Sequence, residues 1–264
     1  MLEIQWWCSA RGTDWTWAWQ NFPGVWIFVA ALAIGVECSA RAAPRPIATW
    51  RTLTRVAALV LLWATLDWPV GPLGAGYLMW VHAAQFLSLA MVVPPLLLLG
   101  LGTGGVAPIL RDRMAGPLIR AATQPLFAMV LFTAVMVVSH LQGVVDTRMK
   151  HQLGALALDL SWLVSGILFW WPVILAEPPR PRFMPLVQMV YLFFGTQPHV
   201  YIAMWLLLGE FPKYATYELA PRMSALSPLQ DQAVGGGLML LVTLALVFGV
   251  LTVIYTRWVR KDGA

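Results

Sequence analysis

The chain has 264 residues, 59% of them hydrophobic and only 11% charged, with a formal net charge of +5. Soluble domains carry about 25% charged residues, so this composition excludes an ordinary soluble enzyme or binding module and points to the membrane. The basic residues sit in short gaps between apolar runs, which excludes a nucleic-acid surface and reads as an orientation signal.

Residues 1–21 form a lead-in containing Trp6, Trp7, Trp15, Trp17 and Trp19. Such rings favour the membrane–water boundary, so the segment is expected along the outer interface. It lacks a basic stretch followed by an apolar core, and no cleavable signal peptide is expected. Apolar runs long enough for roughly 30 Å of hydrocarbon follow in chain order. They are Phe22–Ala40, Thr52–Trp68, Gly76–Leu101, Thr123–Leu141, Leu153–Ala176, Met184–Leu208 and Ala233–Trp258. The second is the weakest, being short with Asp67 near its end. Pro94–Pro95 is expected to kink or end the third, and the Gly100–Gly105 stretch reads as a flexible turn. Phe169–Trp170–Trp171–Pro172 reads as an interfacial anchor with a helix-ending proline. Gly235–Gly236–Gly237 is expected to admit a close neighbouring helix.

The expected fold is therefore an all-α integral membrane protein of about seven transmembrane helices. Its organisation is a Trp-rich outer lead-in (1–21), one membrane domain (22–258) and a cytoplasmic tail (259–264). Twelve basic residues fall on one side: Arg41, Arg45, Arg51, Arg55, Arg111, Arg113, Arg120, Arg180, Arg182, Arg257, Arg260 and Lys261. Five fall on the other: Arg11, Arg148, Lys150, Lys213 and Arg222. The positive-inside rule then puts the N-terminus outside and the C-terminus in the cytoplasm. Acidic residues, among them Glu3, Asp14 and Asp231, lean outward. Cys8 and Cys38 fall on opposite sides and are not expected to pair.

Ionisable groups inside spans are costly and mark function by default. Here they are few: His82 and Gln85, His140, Asp159 and His199, with Asp146 and His151 in the outer loop between the fourth and fifth spans. Met79, His82 and Gln85 recur every three residues and share a helical face, as do Met136 and His140, four apart. Thioether and imidazole suit Cu(I), and the two faces would make a site if their helices adjoin. The plainer reading, a histidine bonded to a backbone carbonyl, stays open. His199, behind Gln197–Pro198, is expected at a helix irregularity where proline frees a carbonyl for a polar partner. No nucleophile–base pair or carboxylate pair stands at workable spacing, so no enzyme is expected.

Several stretches together resemble the CtaG family of polytopic cytochrome c oxidase assembly proteins. They are His82–Ala83–Ala84–Gln85 followed by Val93–Pro94–Pro95, then His140–Leu141 with Asp146, then Gly166 to Pro172, and last Leu226 to Gln232 before a Gly-rich span. The resemblance implies a multi-pass protein of the bacterial plasma membrane that aids maturation of a haem–copper oxidase by helping copper reach its outer-facing centre. On that reading His82, His140, Met79 and His151 would hold Cu(I) transiently, with Gln85, Asp146 and Asp159 as polar partners, Asp146 orienting a histidine. This chain departs from the family pattern at Phe86, where a second histidine is usual. It departs again at Gln142 and Val145, in place of Pro and Tyr, and at Leu158–Asp159, in place of Glu–His. The thinned histidine set favours an alternative: a structural or docking subunit of a respiratory or other membrane complex that has lost its ligands. A transporter using Asp159 and His199 ranks third, because coupled carriers show paired broken helices or repeats.

Overall fold

The computed structural model describes residues 5–44, 46–175 and 184–262. Glu3, Arg45, the gap from Glu177 to Arg182 with its two arginines, and the Lys261 side chain lie outside the described residues. All regular structure among the described residues is helical: α1 (Pro23–Arg41), α2 (Thr49–Leu66), α3 (Val70–Gly76), α4 (Met79–Leu87), α5 (Val93–Arg111), α6 (Ala115–Ala122), α7 (Pro125–Ser139), α8 (Gln142–Arg148), α9 (Gln152–Ile174), α10 (Pro185–Leu207), α11 (Ala215–Glu218) and α12 (Pro228–Asp262). Proline opens α1, α7, α10 and α12. Its missing N–H costs nothing at a first helical position, and its fixed φ suits the start.

Four stretches are long and apolar enough to cross a membrane: Pro23–Arg41, Met79–Arg111, Gln152–Ile174 and Pro228–Arg260. The count is up to six if two bent pairs, α2 with α3 at 48° and α6 with α7 at 74°, each serve as one span. Helix α10 has the same 23 residues as α9, but Gln188, Gln197 and His199 keep it out of that set. Helix α7 has 15 residues, about 22 Å at the usual rise, and falls short of a full crossing without α6.

The central element runs from α4 to α5 through a π-helical turn, Ser88–Val92. The turn lies just ahead of Pro94–Pro95, where proline removes a donor and crowds the carbonyl four residues back. The helix thereby continues through the proline pair instead of ending there. It also passes through the glycine stretch, which is not a free turn: only Gly102 leaves helical geometry, at φ 58°. A Cβ on Gly166 of α9 would stand 2.5 Å from the Ala90 carbonyl oxygen, so the glycine lets α9 lie against the π turn.

Helix α12 packs against α4 and α10. Gly235 faces the Met79 carbonyl and Trp80 backbone, and Gly236 faces the Ala203 carbonyl and Leu207 amide, the close approach expected of this triplet. Trp170 and Trp171 are buried in the core beside Phe169, which stacks on Phe132 at 4.3 Å. They are core residues, not an interfacial anchor, and α9 continues past Pro172 to Ile174.

The lead-in divides in two. Trp17 and Trp19 are exposed, whereas Trp7 is 1% exposed. The Trp6 and Trp7 amides donate to Gln152 Oε1 at 2.7 and 3.0 Å, Trp7 Nε1 donates to Asp159 at 2.8 Å, and the Ala10 amide donates to the Met149 carbonyl at 2.8 Å. Residues 5–10 are thus built into the bundle. At a single indole, burial with the N–H satisfied outweighs the interfacial preference.

Candidate functional site

Helix α4 starts against α12. Leu78 offers no side-chain cap, and Asp231 of α12 supplies one instead, accepting from the Met79 and Trp80 amides at 2.8 and 3.2 Å. A carboxylate satisfying the first amides of a helix also opposes its dipole. One turn on, Gln85 Nε2 donates to the Thr65 carbonyl at 3.0 Å and the Gly71 carbonyl at 3.4 Å, tying α4 to α2 and α3. A Cβ at Gly74 would fall on Gln85 Oε1, so the glycine leaves room for that amide. These bonds fix the face that carries Met79 and His82.

His82 is 2% exposed. The Gly74 carbonyl lies beside its ring and also accepts from the Tyr217 hydroxyl at 2.7 Å. His82 Nε2 has no hydrogen-bond partner. His140, 4% exposed, caps the end of α7. Its Nδ1 lies 2.8 Å from the Met136 carbonyl. A carbonyl only accepts, so Nδ1 carries the proton and Nε2 holds a lone pair. That Nε2 is also without a partner. Both rings therefore have an unpartnered Nε2, and at His140 the tautomer is set from behind as in a ligand imidazole.

The two rings share aromatic neighbours. Trp162 of α9 packs edge-on to His82 at 5.2 Å and against Phe86 at 5.5 Å. Phe86 in turn meets His140 at 4.8 Å and His199 at 5.3 Å. His199 is fully buried within a continuous α10, stacked on Phe132 at 5.2 Å, and neither ring nitrogen has a partner. The polar contact expected at Pro198 is not made, because aromatic rings surround the imidazole. Phe86 thus occupies the space between the histidines.

The remaining predicted residues lie elsewhere. His151 is exposed in the α8–α9 turn. Asp146 accepts from the Ala215 and Thr216 amides at 3.2 and 2.9 Å and from the Thr216 hydroxyl at 2.8 Å. It starts α11 instead of orienting an imidazole. Asp159 is engaged with Trp7. Among the described residues no three His, Cys, Asp or Glu side chains gather as a metal site.

Sequence reasoning missed three contributors. Tyr214 donates to the His140 carbonyl at 3.0 Å and Tyr217 to Gly74, so the loop before α12 roofs both histidines. Burial pushes both hydroxyls well above the ordinary tyrosine range. Their spacing of three residues in a polar loop was the available signal. Trp162 gave none, one indole among fifteen. Cys8 is buried, its Sγ 3.2 Å from the Leu66 carbonyl. Cys38 is exposed, and both thiols are free.

A family model described as the cytochrome c oxidase caa3 assembly factor (CtaG) matches residues 29–261. The chain belongs to this family. The match takes in α4, α7, α9, the loop before α12 and all three buried histidines, and it begins after the lead-in. An uncharacterised protein of Mycobacterium bovis is 28% identical over 199 residues, covering 69% of this chain and 30% of that protein. One from Mycobacterium tuberculosis gives the same figures. One from Mycobacterium leprae is 25% identical over 202 residues, again 69% and 30%. The chain thus spans about a third of the length of these relatives. No solved structure matches it.

Proposed function

We propose that this caa3-type assembly factor is a multi-pass protein of the bacterial plasma membrane that helps deliver Cu(I) to a haem–copper oxidase on the outer face. The observation that carries the reading is the pair of buried imidazoles, His82 and His140, each with a carbonyl beside the ring and an unpartnered Nε2. Imidazole with nearby thioethers suits a soft monovalent ion, and Met79 and Met136 lie on the same two helices. Copper is cargo here: it arrives and leaves by ligand exchange, and the reading assigns no bond-making step to the chain.

The same reading takes the bundle as seven spans with the N-terminus outside. Helix α10 supports the seventh. Its Gln188, Thr196 and His199 are buried, while Leu186, Val190, Phe193, Phe194 and Tyr201 are exposed. A helix that turns polar groups inward and apolar ones outward is suited to lipid despite its lower mean hydropathy. The basic residues of α1, α2 and α5 then face the cytoplasm, and both candidate histidines lie in the outer half.

A second reading, a docking subunit without metal, is favoured by Phe86, which fills the space between His140 and His199 with an apolar ring. Copper content decides between them. Detergent-purified protein is loaded with Cu(I) under reducing conditions beside a His82→Ala/His140→Ala variant. The expected result is about one copper per chain, lost in the variant. No copper in either protein overturns the delivery role and leaves the docking subunit.

A further inference from the structure

Beside His82 lies a small internal cavity of about 10 Å3, roughly the room of one water molecule or one ion. Its walls bring together Cys8 from the lead-in, His82 from α4, Met149 from the α8–α9 corner, and Asp159 and Gln85. Cys8 is 4%, His82 2% and Met149 2% exposed. The three belong to segments far apart in sequence, and separate bonds fix each one. The Trp6 and Trp7 amides on Gln152 hold the lead-in, the Ala10 amide on the Met149 carbonyl holds the corner, and Asp231 holds α4.

We propose that Cys8, His82 and Met149 form a Cu(I) site in this cavity; the proposal rests on the copper-delivery reading and moves its centre from the His140 side of His82 to the lead-in side. Thiolate, thioether and imidazole are the donors that select Cu(I), and a low-coordinate ion needs no fuller shell. The cavity suits one ion, and His82 lines it with a buried Nε2 that nothing else engages. Hydrogen bonding leaves the other donors open: the Cys8 thiol donates to the Leu66 carbonyl and keeps its sulfur lone pairs, and Met149 is held through its backbone.

Charge balances. Copper displaces the thiol proton, Cys–SH + Cu+ giving Cys–S–Cu and H+, so the occupied site is neutral and is tolerated in a low dielectric. Asp159 lines the same cavity and is the base placed to take the proton, with one oxygen already held by Trp7.

The test uses the whole chain in detergent, titrated with Cu(I) against a competing chelator, in wild type and in Cys8→Ser, Met149→Leu and Cys38→Ser forms. Serine can still donate to Leu66, so Cys8→Ser keeps the fold. Cys8→Ser is expected to lose at least about a hundredfold in affinity and Met149→Leu about tenfold, while Cys38→Ser binds as wild type; even outer partners of a metal ligand register on this scale. X-ray absorption of the copper-loaded wild type is expected to show sulfur bound to copper, a readout independent of any variant's stability. Wild-type affinity in Cys8→Ser, or a nitrogen-only copper environment, overturns the proposal and leaves delivery through His82 and His140 standing. No copper in any form overturns both.

Discussion

The two ends of the bundle bury polar groups in opposite ways. At the basic end, Arg55 is 4% exposed yet fully engaged: it donates to the Gly100 carbonyl at 3.1 Å and Glu37 at 3.3 Å. Arg51 donates to the Leu99 carbonyl at 2.7 Å. The two carbonyls, of Leu99 and Gly100, lie just ahead of Gly102, where the backbone leaves helical geometry. At the other end His82, His140 and His199 are as deeply buried, but four of their ring nitrogens have no partner. The contrast separates structure from readiness to bind. A buried charge that finds acceptors holds helices together, whereas a buried lone pair without a donor is a cost that a ligand can remove.

The largest effect is expected at Phe86. Phe86→Ala empties the space between the imidazoles and should cost about 3 kcal/mol or more, read as a lower melting temperature in detergent. A small loss would mean that the histidines repack into the emptied space. Arg55→Met should cost about 2 kcal/mol, the worth of its charged hydrogen bonds, and leave copper content unchanged. Loss of copper in that variant would mean that the two ends are energetically coupled.

The remaining effect is a pH dependence at the end that holds the histidines. Burial raises the Cys8 thiol above its ordinary value of 9.0 and raises both Tyr214 and Tyr217. The folded state therefore keeps protons that the unfolded chain releases. Stability is full below about pH 9 and falls as pH rises, by at most roughly 1.4 kcal/mol per pH unit for each group. Cys8→Ser should remove the thiol's share and leave that of the tyrosines, as read from denaturation midpoints between pH 8 and 11. A profile identical to wild type would mean that the thiol is not buried in solution.

Much of this could be read along the chain. The apolar runs located the long helices, because each side chain in lipid contributes locally whatever its neighbours do. The family followed from His82, His140, the Pro94–Pro95 pair and the segment ending at Gln232, whose order a linear reading preserves. Asp231 is legible as part of that segment and as an outward-leaning charge but not as a helix cap, since its partners, the first amides of α4, are 151 and 152 positions away.

What sequence alone determined was the class, an all-helical membrane bundle of this family, and the short roster of polar groups available to it. The tertiary structure decided which of them meet. It drew Trp7 and Cys8 inward, gave Asp146 to α11 instead of an imidazole, enclosed His199 in aromatic rings and set Phe86 between the histidines. Periodicity reports which face of a helix a residue occupies, but the partner of that face depends on packing between segments, and packing is fixed by shape and hydrogen bonding across the whole fold.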